Sequence, residues 1–141
     1  MTKIFETVRK VEFQHCDPAG LVFYPRYFEM INSVIEEWFE TALDESFFEI
    51  HVAQRRAVPT ARIEAEFHAP TRLGEVLDFA LSLTDLGGSS ARPLIRATCG
   101  GEPRMTVRSV LVHVAGEPMR AQPWPDNLRT AMQSFIGGEA S

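Results

Sequence analysis

The sequence predicts an α+β fold in which one long helix packs on an antiparallel sheet of about five strands. Three observations predict it. Tyr27, Ile31, Val34, Ile35, Trp38, Phe39 and Ala42 recur at helical spacing. Residues 61–68 and 77–84 alternate apolar and polar side chains, as half-buried strands do. The later strands are separated by short Gly-rich turns, Gly87-Gly88-Ser89-Ser90 and Gly100-Gly101-Glu102-Pro103. The order is therefore one strand, one long helix and four strands joined by hairpin-length turns. A helix covering one side of an antiparallel sheet is the packing that such an order allows.

The elements follow in order. Residues 5–14 read as a strand with Val11 and Phe13 on one face. Cys16-Asp17-Pro18-Ala19-Gly20 is a turn, because Pro18 fixes its own φ and Gly20 supplies a φ that other residues resist. Pro25 suits the first helical position, where a missing N–H costs nothing. The helix is expected from Pro25 to Leu43, and Phe28 and Met30 widen its apolar face, so something must cover it. Asp44-Glu45-Ser46 breaks it, and residues 47–55 form a short second helix or an irregular cover. Ala61, Ile63, Ala65 and Phe67 face inward on the next strand, and residues 69–74 connect it to a strand with Leu77, Phe79, Leu81 and Leu83 inward. In the strand over 91–99, Pro93 implies an edge position or a bulge. The last long strand, Met105 to Val114, changes apolar phase near Ser109, which predicts a bulge there. Pro123-Trp124-Pro125 precedes a short helix over 126–135, and the tail 137–141 is expected to fray.

A chain of 141 residues is read as one domain, 1–141, long enough for a sizeable core. Its net charge of −5 argues against nucleic acid or an anionic membrane surface as the main partner. No apolar run approaches a membrane span, and the start has no signal-peptide core, so a cytoplasmic protein is expected. Cys16 and Cys99 make neither a metal spacing nor a disulfide framework, and no cofactor or metal is expected.

The run Asp17-Pro18-Ala19-Gly20-Leu21-Val22-Phe23-Tyr24-Pro25-Arg26-Tyr27 closely resembles the signature of the 4-hydroxybenzoyl-CoA thioesterases, members of the hotdog-fold superfamily. The resemblance is strong over about residues 8–40 and continues as strand order and spacing to about residue 125. It implies a helix rolled inside a curved sheet, an acyl-CoA substrate, and an active site between two subunits of a homodimer or homotetramer. It also implies that Asp17 is catalytic and that the backbone N–H of Tyr24 binds the thioester oxygen.

The residues themselves support that chemistry. A thioester carbonyl needs attack at carbon and donors for the developing oxyanion. A helix N-terminus offers free N–H groups and a positive dipole end. A carboxylate beside it can attack directly or take a proton from water. The alternative for Asp17 is a turn residue bonding local amides. Gly20, Phe23, Pro25 and Tyr27 join Asp17 and Tyr24 as candidate site residues. Phe23 or Tyr24 would line the acyl pocket, while Tyr27 fits core and pocket equally. His15 stands where relatives often carry a second acid, and Cys16 reads as a small filler. Glu36 and Glu37 read as a solvated helix face, and His113 as a satisfied core or interface histidine; His51 and His68 show no partner pattern.

The resembling enzymes place basic residues for the CoA phosphates in the turn after the third strand, but here Leu86-Gly87-Gly88-Ser89-Ser90 is uncharged. Arg96 and Arg120, with Arg92, are candidate substitutes; ordinary surface arginines are the alternative. The sequence thus reads as an acyl-CoA thioesterase for an aromatic or short to medium aliphatic acyl group. A thioesterase acting on acyl carrier protein and a non-catalytic acyl-CoA binding module are the alternatives.

Overall fold

Alternation and turn chemistry produce the expected layers in the computed structural model, which describes residues 2–137. The elements in order are β1 (Phe5–Lys10), α1 (Tyr24–Glu37), β2 (Arg56–Ala57), β3 (Thr60–Phe67), β4 (Val76–Leu86), β5 (Ser90–Cys99), β6 (Glu102–Val112), β7 (Val114–Ala115), β8 (Arg120–Ala121) and α2 (Asp126–Gln133). The main sheet is antiparallel with order β1-β4-β5-β6-β3. Both flanking strands come from the first half of the chain, and the centre is the meander β4-β5-β6. Leu77, Phe79, Leu81 and Leu83 of β4 are buried, as are Ile95 and Ala97 of β5, and they form one core with Tyr27, Ile31, Val34, Ile35, Trp38 and Phe39 from the helical segment. Trp124, Leu128, Met132 and Phe135, around α2, close the same core. Of the expected frayed tail, residues 138–141 lie outside the described residues.

Several expectations are corrected. β1 is shorter than 5–14, because its pairing with β4 ends at Lys10 opposite Val76. Val11 leaves the ladder to donate its N–H to Glu75 O at 2.8 Å and to accept from Gly74 N at 2.9 Å. A 3₁₀ turn over Phe13–His15 follows, with Glu12 N–H on His15 Nδ1 at 2.8 Å. Val11 is therefore buried while Phe13 is 81% exposed, and the two share no face. α1 starts at Tyr24, so Pro25 is the second helical residue and not the first. Beyond Glu37 the helix widens into one π turn, Trp38–Ala42, closed by Leu43 N–H on Trp38 O. Asp44 then breaks it with φ 57°. Residues 47–55 contain a second such turn, Glu49–Ala53.

Pro93 sits in a central strand and not at an edge. The register shift that accommodates it lies in β4 between Leu83 and Asp85, where Thr84 Oγ1 donates to Arg92 O. The bulge predicted near Ser109 is absent from β6. Met105, Val107, Ser109, Leu111 and His113 are all buried in one unbroken phase. Ser109 tolerates burial because its hydroxyl donates to Arg62 O at 3.1 Å, and the irregularity falls in β3 between Thr60 and Arg62. β3 keeps its alternation but not its burial: Ile63 is 40% and Phe67 46% exposed at the sheet edge. The small sheet β2-β7-β8, built from two-residue strands, had no signal of its own.

Candidate active site

Asp17 is held by its own turn. Its Oδ1 accepts the N–H groups of Ala19 at 2.9 Å and Leu21 at 3.2 Å, while its backbone N–H donates to Leu21 O and its carbonyl accepts from Gly20 N. No described residue donates to Oδ2. Gly20 adopts φ 78°, a conformation glycine takes without strain. Phe23 N–H reaches back to His15 O at 2.9 Å, and α1 begins at the next residue.

That start leaves few donors. The first N–H groups of a helix lack acceptors within it. Pro25 has none to give, and Arg26 N–H is bonded to Phe23 O at 2.8 Å. The Tyr24 N–H is thus an available donor at the positive end of α1, a short stretch of chain from the Asp17 carboxylate. Phe23 and Tyr24 are exposed and meet edge to face, with centroids 5.7 Å apart. Tyr27 is buried, its ring 5.3 Å from that of Phe67, so it belongs to the packing beneath the site. Asp17, Gly20, Phe23, Tyr24 and Pro25 therefore lie on one turn and the helix start that follows it. Arg96 and Arg120 are not among them. Strand alternation puts Arg96 on the sheet face opposite core residues Ile95 and Ala97, in a hollow of about 880 Å³ that also holds Asp78 and His68. Arg120 is exposed on β8.

The remaining chemistry-bearing residues have structural work. Glu37 accepts from Thr7 Oγ1 and pairs with Arg9 at 2.8 Å, tying α1 to β1. His15 fastens the turn before the site, and His68 bonds Thr106. Among the described residues, no group of three or more His, Cys, Asp or Glu could hold a metal ion, and no helix is long and apolar enough to cross a membrane.

The stretch 69–74, which the sequence reads only as a connection, forms with Glu75 a segment, residues 70–75, that the sequence reading missed. This segment lies against the Asp17 turn: Val22 N–H donates to Thr71 O and Leu73 N–H to Gly20 O, both at 2.9 Å. Its shape is set by Glu75, whose Oε1 accepts Arg72 N–H at 2.7 Å. Arg104 of β6, itself buried, grips Glu75 through both Nη atoms, at 2.9 and 3.2 Å, and donates to Pro70 O at 3.0 Å. The Arg104 bonds, then the Arg72 N–H, hold the Glu75 carboxyl down at about 2, against an opposing effect of burial. The only sequence signal was an arginine in a strand where its neighbours Met105 and Val107 are core.

The profile of the Thioesterase-like superfamily matches residues 11–132. Comparison with curated proteins finds no match. Solved structures of similar shape include Slr0204, a 1,4-dihydroxy-2-naphthoyl-CoA thioesterase from Synechocystis, at 20% identity and TM-score 0.85, covering 93% of this chain and 96% of that one. The 4-hydroxybenzoyl-CoA thioesterase from Pseudomonas sp. strain CBS-3 matches at 21% identity and TM-score 0.80, covering 92% of this chain and 99% of that one. SAV2348 from Staphylococcus aureus, solved in complex with CoA, matches at 13% identity and TM-score 0.89, covering 100% and 89%. With the helix, the sheet order and these likenesses in agreement, the chain has the hotdog fold and belongs to the Thioesterase-like superfamily.

Proposed function

We propose that the protein is an acyl-CoA thioesterase, acting as one domain on an aromatic or short to medium-chain acyl group. The observation that carries the reading is the Asp17 carboxylate, fixed through Oδ1 on a turn that runs directly into the first N–H of α1. Oδ2 is then the reacting oxygen. As a base it takes a proton from water; the water oxygen bonds to the carbonyl carbon, the C–S bond breaks, and the thiolate leaves as CoA once protonated. As a nucleophile it attacks the carbonyl carbon, the C–S bond breaks to release CoA thiolate, and water then cleaves the resulting anhydride to two carboxylic acids. In both routes the Tyr24 N–H donates to the oxyanion. Phe23 and the Tyr24 ring, with Gly20 and Pro25 shaping the backbone, face the acyl group. The CoA-bound relative supports CoA as the carrier. The edge of β3, with Ile63 and Phe67 only partly covered, supports an assembly of at least two subunits, and a tetramer is proposed.

Thiol release from a panel of acyl-CoAs, run beside the matching carrier-protein thioesters, tests the activity. Asp17→Asn keeps the size of the side chain and removes its charge. It should lower kcat by roughly 10³ or more, since a positioned base alone contributes about 10²–10⁴, with KM little changed and the fold intact. Near-normal turnover by Asp17→Asn would remove the residue from the mechanism. For the nucleotide end we propose Arg96 and Arg120. Their alanine variants should raise KM at low ionic strength and less so at high salt; if neither does, the phosphates are held elsewhere.

A further inference from the structure

We infer that the Glu75–Arg104 pair positions the Asp17 turn, and so acts on catalysis without touching substrate. The inference rests on the reading of Asp17 as the catalytic carboxylate.

The connection is a continuous set of bonds. Arg104 grips the Glu75 carboxylate with two parallel N–H groups and takes the Pro70 carbonyl with the same guanidinium. A third contact, Nε to Glu102 Oε1 at 2.7 Å, fixes the plane of that guanidinium. Glu75 in turn receives the Arg72 N–H, while its own N–H donates to Arg72 O. Residues 70–75 are thereby folded into one shape. From that shape the Thr71 carbonyl and the Leu73 N–H project onto Val22 and Gly20, and Arg72 bridges Leu21. Leu21 is the residue whose N–H and C=O both bond to Asp17. Three residues, Glu75, Arg72 and Leu21, therefore link the guanidinium to the carboxylate.

The pair is better suited to fixing direction than to adding stability. Arg104 is buried and Glu75 half-buried, and an ion pair taken out of water often adds no more to stability than well-packed apolar residues of the same volume would. Its fork geometry, in contrast, specifies where each partner stands. The second anchor of the turn, Gly74 N–H on Val11 O, sits on the same segment, so both edges of the Asp17 loop depend on residues 70–75. A displacement of about 1 Å at a reacting group can cost on the order of 10² in rate.

Two variants of the full chain test this. Arg104→Met removes the fork and keeps most of the volume. Glu75→Gln is milder, because it keeps an acceptor for Arg72 N–H. Both are assayed by thiol release on an acyl-CoA that the wild type hydrolyses, and by hydrogen exchange of peptides covering residues 17–23. We expect kcat to fall at least about tenfold in Arg104→Met, less in Glu75→Gln, with KM within about twofold and faster exchange at 17–23. A merely structural pair would lower the melting temperature and leave the kcat of the folded fraction unchanged. Folded variants with kcat within about twofold of wild type overturn the proposal. Should Arg104→Met fail to fold, Glu75→Gln decides alone. Should the wild type hydrolyse no thioester, the functional reading fails, and exchange decides the rest: unchanged protection at 17–23 in the variants overturns the positioning role.

Discussion

His113 Nε2 accepts a hydrogen bond from Arg56 Nη1 at 2.9 Å, an imidazole serving as the acceptor for a buried guanidinium. This fixes the tautomer, because Nδ1 must then carry the proton it donates to Gln122 O at 3.0 Å. Arg56 also pairs with Glu45 and donates to Gln54, and Trp124 stacks near the imidazole at 5.2 Å. The histidine is thus fully satisfied and joins β2, the β6–β7 junction and the segment before α2.

This arrangement predicts an acid-sensitive fold. Burial holds the His113 imidazole below its ordinary value of 6.5, Arg56 acts in the same direction, and the Gln122 carbonyl opposes both. The unfolded chain therefore takes up this proton at higher pH than the folded one. Stability is complete above about 6.5 and declines as pH falls toward the folded value, with a slope of at most about 1.4 kcal/mol per pH unit for one proton. The melting temperature should drop by a few degrees between pH 7.5 and 5.5, and His113→Gln should flatten that part of the profile. An equally steep profile in the variant would assign the effect to other groups.

The oxyanion role proposed for Tyr24 belongs to its backbone, so side chain and N–H can be separated. Tyr24→Phe should leave kcat within about twofold, since the hydroxyl takes no part. Tyr24→Pro deletes the N–H at the first helical position, where proline is well tolerated. It should lower kcat by roughly 10²–10³, the usual cost of one oxyanion donor. Equal activity in the two variants would place the oxyanion elsewhere.

The proposed assembly is tested at the β3 edge. Sedimentation at micromolar concentration should find at least a dimer. Ile63→Arg puts a charge on the uncovered apolar face and should shift the population to monomer with loss of activity. A stable, active wild-type monomer would refute the assembly.

The long helix, the alternation of β4 and the Asp17 turn were legible because each is specified locally, by side chains within a few positions of one another. What was missed depends on partners far along the chain. Val11 ends β1 because Gly74 and Glu75 take its backbone. Ser109 mimicked a phase shift because the carbonyl that satisfies it comes from Arg62. Ile63 and Phe67 were expected to be buried by their spacing, which reports a face but not whether anything covers it. Arg104 drew no notice in the sequence, because the carboxylate that pairs with it, Glu75, lies far back along the chain.

The strand order also sets a timetable for synthesis. β1 finds its partner only in β4, and β3 only in β6. A chain emerging at about 5–20 residues per second therefore holds its first strand, its helix and β3 without a sheet until the β4-β5-β6 hairpins exist. Those hairpins have the short-range pairings, and loop closure favours them first. Pulsed hydrogen exchange during refolding should protect Ile95 and Val107 before Thr7 and Ala65; the reverse order would rule this sequence of events out. On the ribosome, the apolar face of α1 is then the surface left waiting longest, which makes the N-terminal half the segment with most need of a chaperone's cover.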